Sequence, residues 1–302
     1  MLNYARPSTL VFFVQGLFFW EVMKHMRVKS ILNNSALIAF SEKSEECVLI
    51  GKGIAFNKRP GDPVDETKAE KVFNSRHART EELIELLEDV PEKVFEMTNT
   101  IIRYANRKLG KDLDSGIYVT LLDHIHSAIE RTAEGIELDF GMLTEVRMLY
   151  PKEYNIACWA LDYINATMDI DIPIDESGFI VIHIIANETP NMDTGSTKKI
   201  LRITKDITDT IMSYYQVKMD TSSITYTRFV THAKYLALRY IKHEQIEQNE
   251  DSIFTLNPEA IEKTKDAIQV LNQKLKEKYG QSLSEYEKLY LTIHICRLLN
   301  IK

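Results

Sequence analysis

Two helical settings in this chain occur twice, each with a histidine in the same place. Tyr118-Val-Thr-Leu-Leu-Asp-His124 returns in outline as Tyr226-Thr-Arg-Phe-Val-Thr-His232, and Val181-Ile-His183-Ile returns as Thr292-Ile-His294-Ile. From His124 to His183 and from His232 to His294 the intervals are 59 and 62 residues. The match reaches beyond the histidines: residues 118–131 align with 226–239 at one offset and 169–184 with 280–295 at another, pairing Glu176 with Glu287 and Phe179 with Tyr290. Self-similarity of this kind makes the chain a tandem of one supersecondary unit, each copy burying the same apolar stripes. Four of the eight histidines thus fill two equivalent positions per unit, which suits a paired, titratable or phosphorylatable device better than one catalytic centre.

The helical period starts near Thr80. Leu83, Leu86, Leu87, Val90, Val94, Met97, Ile101 and Tyr104 form an apolar face at helical spacing, with Pro91 opening a second helix or kinking the first. Further helices are expected around Leu121–Ile129, 154–164 and His183, the last with Asp175 or Ser177 capping its first turn. The turn-rich stretch 190–195 reads as a boundary, followed by helices at 200–215, 226–242, 258–279 and 285–299. Two consecutive all-helical bundles, 80–190 and 191–302, are the economical reading.

Before them the period is two. Residues 27–40 read as strand, Asn-rich turn, strand; Glu46-Cys-Val-Leu-Ile and Gly53-Ile-Ala-Phe supply further strand signals, and 65–73 reads as a short closing piece. The result is a small antiparallel domain, 26–79, whose thin core would gain from burying one face against an identical copy. Residues 1–25 read as an extension of uncertain status, with Met23 or Met26 as an alternative start. The apolar run at 10–20 is well short of the roughly 20 residues a membrane helix needs, and no small-residue cleavage site follows it.

Charge divides the same way. Between Lys24 and Pro60 seven bases face three acids, a net of +4, whereas Gly61 onward carries -11 of the total -7. A small basic front on an acidic body is suited to meeting a polyanion at one end only. Cys47, Cys158 and Cys296 lack metal-ligand spacing and fit a reducing cytosol. A four-histidine metal site is disfavoured, because no carboxylate-histidine motif fixes its geometry. Nucleophile elbow, His-Glu-x-x-His and phosphate-binding glycine loop are all missing, which argues against a hydrolase, and no cofactor is implied.

In the basic front, Asn33, Asn34 and Ser35 lie in a hairpin turn, with Gly51, Lys52, Gly53, Phe56 and Lys58 nearby in sequence. Polar tips can bond base edges or phosphates and an exposed Phe can stack on an unpaired base. The competing roles are turn formation, core packing and solubility.

With Ile31-Leu-Asn-Asn-Ser, Ile50-Gly-Lys-Gly-Ile-Ala-Phe, Leu121-Leu-Asp-His-Ile, Leu149-Tyr-Pro-Lys-Glu-Tyr, Asp175-Glu-Ser-Gly-Phe-Ile-Val-Ile-His-Ile and Phe229-Val-Thr-His in view, residues 26–302 resemble the BglG/LicT family of bacterial transcriptional antiterminators. The resemblance implies a co-antiterminator RNA-binding domain followed by two phosphotransferase-system (PTS) regulation domains, in a cytoplasmic protein. It implies a homodimer that holds a leader RNA hairpin and so excludes the overlapping terminator. By the same resemblance the RNA-facing residues are Asn33, Asn34, Gly51, Lys52, Gly53, Phe56 and Lys58, with Ser35 and Ala55 in place of the usual asparagine and glycine. His124, His183, His232 and His294 become the phosphorylation candidates. Inhibition is expected through the first pair by the sugar-specific PTS permease component, and activation through the second by the general histidine-containing phosphocarrier protein. The alternatives are a PTS-regulated activator with a DNA-binding helix-turn-helix, for which the front lacks a recognition helix, and a histidine phosphocarrier.

Overall fold

The computed structural model describes residues 26–40, 45–74, 79–189, 192–218, 220–221, 223–246 and 258–301. The N-terminal extension, His25, His77 and the first two residues of the expected boundary at 190–195 lie outside them. The chain forms two compact units, Met1–Gly135 and Ile136–Lys302.

In the first unit, strands β1 (Arg27–Asn33), β2 (Ala36–Phe40), β3 (Glu46–Ile50) and β4 (Lys71–Asn74) make an antiparallel meander in the order β1-β2-β3-β4. Leu37 pairs with Ile31 and Leu49, and Val48 with Ile38 and Phe73. Met26, Val28, Leu37, Ala39, Cys47, Leu49, Ile54, Ala55 and Val64 form one core cluster on one side. The other face is covered as well: Ala36, Ile38, Val48 and Ile50 are each at most 8% exposed within the chain. Helices α1 (Thr80–Asp89), α2 (Glu92–Leu109) and α3 (Ile117–Ala133) follow in the same unit, with α1 against β1 and α3, α2 against α3, and Phe73 edge-on to Tyr118 at 5.5 Å. β2 and β3 read as nearly continuous apolar runs because both faces are buried.

Gly53-Ile-Ala-Phe is a turn, not a strand. Gly53 at φ +63° and Asn57 at φ +57° bend the chain at either end, and the β-branched Ile54 that suggested a strand is instead plugged into the sheet core. Pro91 opens α2 rather than kinking α1, and Gly110 ends α2 in the left-handed conformation.

The second unit begins with α4 (Leu143–Leu149), α5 (Pro151–Met168) and α6 (Asp175–Glu188). The expected cap of α6 is absent. Asp175 instead accepts the distant Phe140 amide at 2.9 Å, and Ser177 Oγ donates to the Ile174 carbonyl. A buried amide without a helix partner needs that carboxylate more than the helix end does. Helices α7 (Thr194–Tyr214), α8 (Ile224–Lys242), α9 (Pro258–Tyr279) and α10 (Glu285–Leu299) close a four-helix ring, α7 to α8, α8 to α10, α10 to α9 and α9 to α7. Its core runs through Ile203, Ile207, Phe229, Ala233, Leu236, Leu271 and Ile295. Asp193, Ser223 and Ser284 cap α7, α8 and α10 through their side chains. No described helix is long and apolar enough to cross a membrane.

Candidate functional site

The second histidine pair sits where α8 and α10 face each other. Ala233, Leu236 and Ala237 keep one side of α8 in the core, which turns His232 and Arg239 toward the rim. On α10, Glu287, Tyr290 and His294 fall at i, i+3 and i+7 and share one side. The two imidazoles stack at 3.5 Å between ring centroids with 22° between planes. His232 Nδ1 lies 2.6 Å from the Tyr290 hydroxyl, and the Tyr290 ring crosses His294 edge-on at 4.5 Å.

A buried ion pair braces the tyrosine. Glu287, fully buried, takes Arg239 Nε and Nη2 at 2.7 Å each, while the Arg239 guanidinium lies 4.9 Å above the Tyr290 ring. The Ile246 amide adds a third bond to Glu287. Ser284-Glu285-Tyr286-Glu287 spells a capping box, but only half of it forms. Ser284 accepts the Glu287 amide, and the Glu287 carboxylate goes to Arg239.

Burial, His232 and the cations Arg297 and Arg239 push His294 down to about 4. Burial, Arg297 and Arg239 push His232 down as well. Both rings are therefore neutral near pH 7, with a lone pair available on each. The same cations that oppose a proton would favour an anion placed there.

His124 lies on α3 in the first unit and His183 on α6 in the second. Where Tyr290 stands in the second repeat, the first has Phe179, which packs edge-on to Phe140 at 5.0 Å and has Lys198 Nζ 5.1 Å over its ring. No described group of three or more His, Cys, Asp or Glu side chains is placed to hold a metal ion.

In the first unit the two segments of the basic front meet. Asn33 Oδ1 accepts the Ser35 amide at 2.8 Å, shaping the turn. The Gly51 amide donates to the Ser35 carbonyl and the Ala55 amide to that of Asn34, which fastens loop to turn. Lys52 and Phe56 project outward, Phe56 at 61% exposure, so it is not a core residue. Lys58 Nζ is held by the Pro63 carbonyl at 2.8 Å. Gly51 is buried where a Cβ would lie 1.8 Å from the Lys68 carbonyl oxygen, and Ala55 fills the core without left-handed backbone. Ser35 is 2% exposed and donates to Glu96. Arg239 and Glu96 had no role in the sequence reading, and Glu287 and Tyr290 entered it only as the repeat partners of Glu176 and Phe179. The alignment of Phe179 with Tyr290 was the only available sign of the tyrosine.

A family model described as the CAT RNA binding domain matches residues 26–82, and one described as the PRD domain matches 99–187 and 205–298. Transcription antiterminator LicT of Bacillus subtilis (strain 168) is 32% identical over 275 residues, covering 91% of this chain and 99% of that protein. The chain belongs to the BglG/LicT family of transcriptional antiterminators. Its members are non-enzymatic RNA-binding regulators. The beta-glucoside operon antiterminator of Dickeya chrysanthemi is 31% identical, covering 90% of this chain and 96% of its own. The crystal structure of GlcT CAT-PRDI matches 54% of this antiterminator and 98% of the solved chain, with a TM-score of 0.51 and 35% identity.

Proposed function

We propose that this antiterminator binds a leader RNA hairpin as a homodimer through residues 33–35 and 51–58, and that phosphorylation of its paired histidines sets whether it does so. The fastening of the Asn33–Ser35 turn to the Gly51–Lys58 loop carries the reading, since it makes one surface with a stacking ring at Phe56 and exposed cations at Lys52 and Arg59. The hairpin competes with the overlapping terminator, so binding lets polymerase continue.

In the second pair His232 is the acceptor. With its Nδ1–H donated to Tyr290, the Nε2 lone pair attacks the phosphorus of a donor phosphohistidine. The donor P–N bond breaks, its electron pair stays on the donor nitrogen, and the donor ring, protonated on its other nitrogen, leaves as neutral imidazole while the phosphorylated His232 ring keeps its Nδ1 proton. Arg239 and Arg297, which disfavour a proton on these rings, balance the negative charge of the new phosphate. A second phosphate on the stacked His294 ring would stand beside the first without a further cation, so one phosphate per pair is the favoured load. The general phosphocarrier supplies this activating phosphate, and the sugar-specific permease component supplies the inhibiting one on His124 and His183.

The test is binding of the purified chain to its own leader RNA and to a terminator-only control, before and after treatment with each phosphodonor. Replacing His232 should abolish activation by the phosphocarrier. Equal affinity for both RNAs in every state would sink the reading.

A further inference from the structure

We propose that one face of α2 is a gate that holds the RNA-facing turn shut, an inference that rests on the RNA reading above. Glu92, Glu96, Asn99 and Arg103 follow at i, i+4, i+7 and i+11, a single stripe along the helix. All four bond to the sheet domain. Glu92 Oε1 accepts the Asn34 amide at 2.9 Å, and Glu96 Oε1 accepts the Ser35 hydroxyl at 3.0 Å. At the other end Asn99 Nδ2 and Arg103 Nη1 hold the Glu70 carboxylate at 3.4 and 3.1 Å.

The stripe occupies what RNA would need. Ser35 is already buried and its hydroxyl engaged, and the Asn34 amide, a donor suited to a phosphate oxygen, is taken by a carboxylate. Two carboxylates at the turn would also repel an approaching phosphate backbone. Asn33 Nδ2 is buried with no partner among the described residues, an unmet donor inside the closed turn that an acceptor arriving there would satisfy. The gate helix packs directly on α3, which carries His124, so a change at that histidine acts on the neighbour of the latch.

The far anchor offers a discriminating variant. Arg103→Ala removes a positive charge, which by simple electrostatics weakens RNA binding. If it frees the gate, binding tightens instead. Full-length chains carrying Arg103→Ala, Glu92→Ala with Glu96→Ala, and the milder Glu92→Gln with Glu96→Gln are compared with a charge control on α1, Glu81→Gln with Glu88→Gln. The readouts are affinity for the leader hairpin and hydrogen exchange at the Asn34 amide without RNA. The gate predicts at least tenfold tighter binding and faster Asn34 exchange for the double alanine chain, the same direction for Arg103→Ala, and little change for the control. Equal affinity of wild type and gate variants overturns it, as does equal gain in the α1 control. Faster Asn34 exchange with no hairpin bound by any chain would sink the RNA reading, and the gate with it, leaving only a domain contact.

Discussion

Tyr290 is the residue on which the two repeats part. It occupies His232 Nδ1 at 2.6 Å, whereas Phe179 at the matching place has no hydroxyl to do so. A hydrogen bond of this kind is worth about 0.5–1.5 kcal/mol, a factor of roughly 2 to 10 in rate if it selects the reactive tautomer. Tyr290→Phe should slow phosphate uptake by the second pair by that factor with little change in melting temperature; unchanged uptake would remove the tyrosine from the mechanism. His294 gives a pH prediction. Its folded pKa of about 4 lies below the usual 6.5, so the unfolded chain binds more protons in that window. Stability should fall as pH drops from about 6.5 to about 4, by at most about 1.4 kcal/mol per pH unit, with His232 acting in the same direction. Urea midpoints followed across this range should show a shallower slope in His294→Gln, with the remainder due to His232. The histidines were legible because they repeat. Their braces were not, since Glu287 and Arg239 meet across two helices 48 positions apart and each alone reads as a solvated charge.

At the level of elements, the periodic pattern placed the helices well because amphipathic stripes are set by local spacing. α8, expected at 226–242, runs Ile224–Lys242, and α10 coincides with its expected span at Glu285–Leu299. The reading failed where a long-range contact overrode local preference. Gly53-Ile-Ala-Phe has strand composition and folds as a turn, and Asp175 serves Phe140 instead of its own helix. The polar stripe of α2 was equally opaque, because Glu, Glu, Asn and Arg on one face ordinarily mean solvent. Packing makes two element-scale predictions. A Cβ on Gly178 would lie 2.3 Å from the Phe140 ring, so Gly178→Ala should cost about 1–3 kcal/mol in chemical denaturation, and an unchanged midpoint would show that α6 can shift freely. Arg239→Met strands the buried Glu287 carboxylate and should cost about 3–5 kcal/mol, while adding Glu287→Met should restore most of it.

For the molecule as a whole, the charge split decides how RNA can be held. From Gly61 onward acids outnumber bases by 11, so the field there repels phosphate, and several cations of the sheet domain are engaged within the chain. Arg27 is bonded to the Gly61 carbonyl, Lys29 to Glu46 and Lys68 to the Gly53 carbonyl. Lys52, Lys58 and Arg59 remain at the proposed surface, Lys58 with one of its three donors on the Pro63 carbonyl. Two or three cations per copy, doubled in a dimer, neutralise about four to six phosphates. On a duplex stem each contributes about -0.9 to the slope of log affinity against log salt, giving roughly -4 to -5. A titration from low to near-physiological salt measures this slope directly. A slope near zero would mean that binding does not run through these cations, and one near -10 would require a basic surface that the acidic body lacks. Opening the gate should tighten binding at every salt concentration while leaving the slope nearly unchanged, provided Glu92 and Glu96 move away from the bound RNA. A slope that steepens markedly in the Glu92→Ala, Glu96→Ala chain would instead mean that the carboxylates stay beside the phosphates and act only as like charges.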